Sequence, residues 1–572
     1  MKKVRSKKNH NKAIKTNNSK FAVRKKSRNG NKSFKKRGNF AREFDVTSKR
    51  VSTRRNKKED KVSDRPNYKT PEELIAEREV FPDSVKKEVS HVRNSLSATT
   101  ITKELNAGRR DLRNLTLVTI DSEETKDVDD AVSISRTKEG KYVLGVHIAD
   151  VAHYVKEGTE LDLEAYKRGT SVYLVDKVLP MLPKKLSNGI CSLNVGEDRL
   201  ALSVEMVINQ KGQVEKYDIF ESLICVEYKI TYKQITALFE GDSDLYKQKD
   251  LEEEFKDHIA DIKLMKDLAE LRHRMRYQRG AVDFEFPETY VATDENGKPI
   301  KVEERFVNFA NNIIEEFMLA ANETIAEHFA KLKVPFMFRV HADPDPEKLE
   351  NLGTSVRSMG YTLKGDGVDP TFAIQRLLEK AKGKATEPII SMLALRSMQK
   401  AEYSSINEGH FGLAAEYYTH FTSPIRRYPD LFIHRIIKAV LRGKLNTKQE
   451  AFWRSVSDDA AKHCSLTERE AENAERTYTE RLVAEYMNGF LGDAFSGTIC
   501  NITGFGIFVR LDNSAEGLVF YNSMPDYMIF DERKMMAIGE TNRRKYAIGD
   551  KVRVKVVNCN VKMGQIEFHF IK

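Results

Sequence analysis

Apolar residues along the chain recur at changing intervals, and each interval predicts a different element. From about 69 to 110 the spacing is helical, and Thr70-Pro71-Glu72-Glu73 offers a cap followed by proline at the first helical position. Strand patterns dominate from 111 to about 235. The run Leu115, Leu117, Val118, Ile120 is apolar and β-rich, which predicts a buried strand ending at Asp121. Ala131–Ile134 and Tyr142–Ile148 read the same way, and 170–183 as a strand and turn. The pattern becomes helical over 235–340, where Phe309, Ile313, Phe317, Ala321, Ile325 and Phe329 form one stripe of a long helix. Before that stripe, Phe284 and Phe286 alternate with acids as in a strand. Asp343-Pro344-Asp345-Pro346 is a connection. Ser423-Pro424 predicts a helix start ahead of the apolar residues that follow Pro429. A charged helix is predicted around 465–490, opened by a capping-box pattern at Ser465 and Glu468. Five short strand patterns between 494 and 572 match the count and size of an OB-fold barrel.

Composition adds a tail to this picture. The 572 residues are 40% hydrophobic, enough for several domains with real cores. The net charge of +11 is uneven: residues 1–60 hold 23 Lys/Arg against 4 Asp/Glu, which leaves the remainder at −8. Residues 1–68 have few aliphatics to bury and read as a disordered basic tail that attracts polyanions, RNA first among them. Phe21, Phe34, Phe40 and Phe44 lie in it as candidates for stacking on bases. No apolar run approaches the length of a membrane span, and the N-terminus lacks the apolar core of a secretory signal. The five cysteines are scattered without a CxxC pair, which argues against a zinc knuckle or disulfide framework and for a reducing cytoplasm.

The chemistry centres on the loop after the first strand. Asp121, Asp127, Asp129 and Asp130 crowd four carboxylates into ten positions. Like charges this close destabilise one another unless they share a cation, and carboxylate oxygens suit Mg²⁺ or Mn²⁺. The alternative is a solvated acidic turn. A calcium EF-hand is excluded, because Lys126 and Val132 stand where a loop starting at Asp121 needs Gly and Glu. His147, Asp150 and His153 are spaced for a helix face rather than a strand end and read as structural or supporting. Arg426 and Arg427 oppose the helix dipole where they stand, which suits a phosphate site; a structural Arg–carboxylate pair is the alternative for either. Phe505, Phe508 and Phe520, on the second and third barrel strands, would offer stacking faces to single-stranded bases.

Taken in order, TIDSEETKDVDDAV, HIADVAHYV, TSVYLVDKVLPMLP, HFGLAAEYYTHFTSPIRRYPDL and GFGIFV resemble the RNase II/RNase R (RNB) exoribonuclease family, from about Thr70 to the end. The resemblance implies an α+β fold: a helical lead-in at 69–110, a mixed RNB catalytic domain at 111–490 and an S1-type OB-fold β-barrel at 491–572. It implies a processive 3′→5′ hydrolytic exoribonuclease of the exoribonuclease II type, acting on single-stranded RNA, monomeric and cytoplasmic. By family pattern Asp121, Asp127 and Asp130 hold Mg²⁺, as one or two ions that Mn²⁺ can replace, and Asp129 is the acid most tied to the chemical step. Tyr173 matches the tyrosine that packs the 3′-terminal nucleotide, Phe284 the aromatic wedge, Arg426 the arginine on the scissile phosphate and Glu475 the glutamate near the 3′ end. Two departures stand out. Members of the ribonuclease R type carry two cold-shock OB-folds ahead of the catalytic domain, for which 1–110 has no pattern, and Phe520 occupies a position where S1 domains often have His. The competing reading is an RNA-binding or ribosome-associated protein with a weakened nuclease body; against it, every family acid and Arg426 are present.

The tail makes the first prediction. Deleting residues 1–60 weakens RNA binding and flattens the slope of log affinity against log salt, because fewer counterions are released. An unchanged slope in a salt titration would remove RNA as the partner of the tail.

Overall fold

The computed structural model describes residues 68–571, apart from 244, 285, 306–308, 364–368, 385 and 533. The basic tail and its four phenylalanines lie outside the described residues.

Three short helices open the described chain: α1 (Pro71–Arg78), α2 (Asp83–Ser90) and α3 (Ala98–Asn106). The cap predicted for α1 forms and is completed as a capping box, with the Glu73 backbone N–H on the Thr70 hydroxyl at 3.3 Å and the Thr70 N–H on the Glu73 carboxylate at 2.8 Å. A seven-stranded mixed sheet follows, in the order β1-β8-β7-β4-β3-β2-β9. Its strands are β1 (Arg110–Asp111), β2 (Val118–Asp121), β3 (Asp130–Arg136), β4 (Tyr142–Ala149), β7 (Asp198–Ile208), β8 (Val214–Cys225) and β9 (Tyr228–Thr231). The hairpin β5 (Val172–Tyr173) and β6 (Val178–Leu179) stands apart from it. Only the two outer pairs, β1–β8 and β2–β9, are parallel. Leu117, Val118, Ile120, Val132, Leu144, Val146 and Leu202 are buried, as the apolar strand patterns require.

The predicted helical stripe is α4 (Phe309–Leu332), which buries Ile313, Phe317, Ala321, Ile325 and Phe329 against the sheet and the helix Ile259–Arg279. Next come α5 (Tyr428–Leu441) and α6 (Thr447–Asn488), a single helix of 42 residues. The C-terminal barrel closes through the strands 494–502, 506–511, 516–520, 565–570 and 551–560, in that order. Closure needs Gly517, because a Cβ there would lie 2.5 Å from the Phe568 ring. A three-stranded sheet at 528–531, 536–539 and 545–547, which the strand patterns did not reveal, is inserted between the third and fourth barrel strands.

Three local expectations fail, each for a tertiary reason. The helix after Ser423 begins at Tyr428, with Pro429 in its first turn; Ser423 instead donates its N–H to Asp430 at 2.8 Å, folding 423–427 back over the helix end. Ser465 caps nothing, because α6 runs through it. Its hydroxyl bonds the Ala461 carbonyl and accepts the Tyr403 N–H, while Glu468 pairs with Arg339 at 2.5 Å; the capping box of this helix is Asn446 with Gln449. Phe284 and Phe286 precede the strand at Glu288–Thr293 rather than forming it, and their rings stack on each other at 5.9 Å.

His147, Asp150 and His153 do not gather round a metal. His147 is held inside the sheet between Ser133 and Ser203, at 3.1 and 2.8 Å. Asp150 is fully buried against Lys438 of α5 at 2.5 Å and against Arg109, with Glu221 bridging the two cations at 3.3 and 3.1 Å. This cluster fastens α5 to the end of β4. Asp150→Ala leaves two buried cations short of a partner, and breaking such a pair costs about 3–5 kcal/mol. Denaturant unfolding should show a loss of that size; a loss below about 1 kcal/mol would mean that the cluster is not holding the helix.

Candidate active site

β2 delivers Asp121 at its last residue and β3 begins with Asp130, so the strand ends themselves set two of the four carboxylates side by side. The intervening loop is pinned along its length. The Val128 N–H bonds the Ser192 hydroxyl at 3.1 Å, which in turn donates to the Lys126 carbonyl at 2.9 Å. The carbonyls of Val128 and Asp129 accept from Leu193 and Ala149.

The arginine loop approaches from the opposite side. Asp430, fully buried, takes the Ser423 N–H and both donors of Arg427, at 2.9 and 2.7 Å. That shape presents the Ile425 N–H to Asp129 Oδ1 at 2.8 Å and leaves Arg426 Nε 3.7 Å from Asp129 Oδ2. The Arg426 carbonyl is held by Ser171 and Thr170, while its guanidinium side chain stays 46% exposed, against 18% for Arg427. Behind both loops, Glu475 of α6 accepts the Tyr173 N–H at 2.7 Å, and the Tyr173 hydroxyl donates to Asp127 Oδ2 at 2.9 Å.

These groups line one cavity of about 620 Å³, whose walls include Asp121, Asp127, Asp129, Asp130, Tyr173, Arg426 and Arg427. Its electrostatics are those of a site short of positive charge. Burial pushes Asp121 up to about 6 and Asp130 up to about 7, and lifts Asp129 well above the usual carboxylate range. Burial also raises Glu475 and the Tyr173 phenol. Asp121 Oδ2 and Asp129 Oδ2 are buried without a hydrogen-bond partner. Buried carboxylate oxygens in that state call for a cation, and an all-oxygen donor set suits Mg²⁺. Among the described residues no three acidic, imidazole or thiol groups close round a single point.

The RNB domain model matches residues 109–443, and the S1 RNA binding domain model matches 490–569. The chain belongs to the RNB family. Ribonuclease R of Thermotoga maritima is 42% identical over 513 residues, 89% of this chain and 71% of that protein. Ribonuclease R of Escherichia coli is 36% identical over 501 residues, 86% of this chain and 60% of that one. Mycoplasma genitalium RNase R, solved with ribose-methylated single-stranded RNA, superposes with a TM-score of 0.80 at 30% identity, covering 88% of this chain and 77% of that one.

The RNB cavity thus gathers seven of the residues singled out in the sequence, with Glu475 directly behind. Arg427 lines the wall, but its guanidinium is committed to Asp430, so of the two readings the structural pair holds for it. Phe284 is not part of the wall; it packs on a separate apolar cluster with Val282, Phe411 and Leu377. Of the aromatics of the S1 barrel, Phe508 and Phe520 lie on the second and third strands as expected, whereas Phe505 lies just ahead of the second. Phe505 is 56% exposed and Phe520 36%, and the Phe505 and Phe508 rings meet edge-on at 6.1 Å. Several wall residues escaped the sequence reading. Tyr232 opens the helix that follows β9, and Asn322 of α4 links the Phe421 N–H to the Tyr418 hydroxyl. His420 shares a hydrogen bond of 2.8 Å with Tyr403. Of these only His420 carried a signal, since it sits in the HFTSPIRRYPDL motif.

The two arginines should therefore separate by experiment. Arg426→Ala should lower turnover by about 10²–10³, as loss of one preorganised donor does, while leaving the melting temperature near wild type. Arg427→Ala strands the buried Asp430 carboxylate and should instead destabilise the fold by about 3–5 kcal/mol. Melting curves and turnover of the two variants check this; equal melting temperatures would undo the distinction.

Proposed function

We propose that the protein is a processive 3′→5′ hydrolytic exoribonuclease that degrades single-stranded RNA to nucleoside 5′-monophosphates and a short end product, within the cytoplasm and as a monomer. The observation that carries this reading is the cavity itself. Four carboxylates, two of them with buried oxygens that accept no hydrogen bond, face the half-exposed Arg426 guanidinium, which is tied only by one hydrogen bond to the Ser423 hydroxyl at 3.2 Å and lies 3.7 Å from Asp129, across a space of about 620 Å³. A phosphodiester placed there meets Arg426 on one side and the acids on the other. The relatives named ribonuclease R support the assignment, as does the RNA in the Mycoplasma genitalium complex.

Asp121, Asp127 and Asp130 would hold Mg²⁺, with Mn²⁺ as a substitute. Bound there, the ion supplies Lewis acidity toward the phosphate and lowers the pKa of water. The remaining roles belong to the chain. Asp129 keeps Oδ1 on the Ile425 N–H and so offers Oδ2 alone, in fixed orientation, to the reacting centre. Arg426 stabilises charge on the phosphoryl oxygens. The Tyr173 ring, 39% exposed, packs the last nucleotide, and Glu475 holds that residue from behind. Phe505, Phe508 and Phe520 give the incoming strand stacking surface at the barrel, and Phe284 would act as a wedge away from the cavity wall. The basic tail would add sequence-independent affinity for RNA or a ribosomal surface. No described helix is long and apolar enough to cross a membrane.

The reading of a binding protein with a weakened nuclease body meets a site in which no carboxylate is missing and the Arg426 side chain is half-exposed at the cavity. The deciding experiment uses 5′-labelled single-stranded RNA with and without Mg²⁺. Wild type should convert it to one short labelled product, with few intermediates, only when the cation is present. Asp129→Asn should bind RNA but turn over about 10³-fold more slowly, and Tyr173→Ala should leave a longer product. Full-length RNA after incubation with wild type and Mg²⁺ would favour the binding protein.

A further inference from the structure

The four acids are not held alike. Asp121 and Asp130 sit in β2 and β3, so the sheet ladder fixes their backbones. Asp129 lies on the loop but has one oxygen tied by the Ile425 N–H from the opposite side of the cavity, leaving the other without a partner. Asp127 also lies on the loop, outside any strand, and among the described residues its carboxylate has one hydrogen-bond contact. That contact is the Tyr173 hydroxyl, 2.9 Å from Oδ2. Tyr173 is itself firmly placed: its backbone pairs with Val178 across the β5–β6 hairpin, its N–H bonds Glu475 of α6 at 2.7 Å, and Val172 beside it is fully buried. The hydroxyl therefore does for Asp127 what the Ile425 amide does for Asp129. A donor from a distant element holds one carboxylate oxygen and turns the other toward the cavity.

We propose that Tyr173 acts in two separable parts, its ring as a nucleotide-packing surface and its hydroxyl as a positioning group that orients Asp127 toward a divalent cation. This rests on the metal-dependent reading given above. Donors that orient a metal-ligating carboxylate typically account for about 10–100-fold in metal affinity.

Tyr173→Phe removes the hydroxyl and keeps the ring. Titrating the full chain with Mn²⁺, read by calorimetry, should give about tenfold weaker binding for Tyr173→Phe than for wild type. The Mg²⁺ concentration giving half-maximal RNA degradation should rise by a similar factor, while the end product keeps its wild-type length. Tyr173→Ala should match the metal defect and lengthen the product as well. In an Asp127→Ala background, Tyr173→Phe should cause no further loss. Equal Mn²⁺ affinity in wild type and Tyr173→Phe, with both folded by circular dichroism, would overturn the positioning role. No Mn²⁺ binding by wild type would instead overturn the metal reading on which it rests.

Discussion

A fully buried carboxylate must find donors for both oxygens or give up its charge, and Asp430 solves that problem by bending the chain around itself. It collects the Ser423 N–H and the fork of Arg427, and in doing so it delays the start of α5 by several residues. Everything on the arginine side of the cavity depends on that detour. The turn aims the Ile425 amide at Asp129, exposes the Arg426 side chain, and brings the Arg426 carbonyl against Ser171 and Thr170, next to Tyr173. One charge pair, remote from any phosphate, thus sets the geometry of the residues that would face one.

The acid loop was legible in the sequence because its signal is local. A strand that ends on an aspartate, three more aspartates and a second apolar run can be read without knowing anything distant. The same holds for the α1 cap, the α4 stripe and the five barrel strands. Only the family motif separated the two adjacent arginines; local pattern could not, because which of them is committed to Asp430 depends on where the helix starts. Ser465 looked like a cap because its hydroxyl pattern is the same whether a helix begins there or passes through. Tyr232 and Asn322 carried no signal at all: each is an ordinary polar residue in a helical segment, and only the packing of α4 and β9 against the two loops brings them to the wall. The sequence-level rules fail most often where the chain has been bent to build the site.

The protein treats buried charge in two opposite ways within one sheet. At the end of β4, Asp150 is neutralised by Lys438 and Arg109, and those cations hold its carboxyl well below the usual range. At the ends of β2 and β3, Asp121 and Asp130 are half-buried without equal compensation, and the loss of solvent pushes them up toward neutrality. The first arrangement is stable as it stands. The second stores a demand for positive charge that a cation can meet, and it leaves room beside the demand.

The helix α6 has a consequence for how the molecule is divided. Its 42 residues extend about 63 Å, with Glu475 about two-thirds of the way along and Leu482, Val483 and Met487 built into the core of the barrel. The stretch between the two matched family models is therefore filled by a continuous rod, not by a tether. A flexible linker would let barrel and cavity sample many separations. A rod holds them at one, so the length of strand spanning barrel aromatics and cavity is a fixed dimension of the molecule. Cutting between the halves would sever that ruler and leave the apolar end of α6 uncovered.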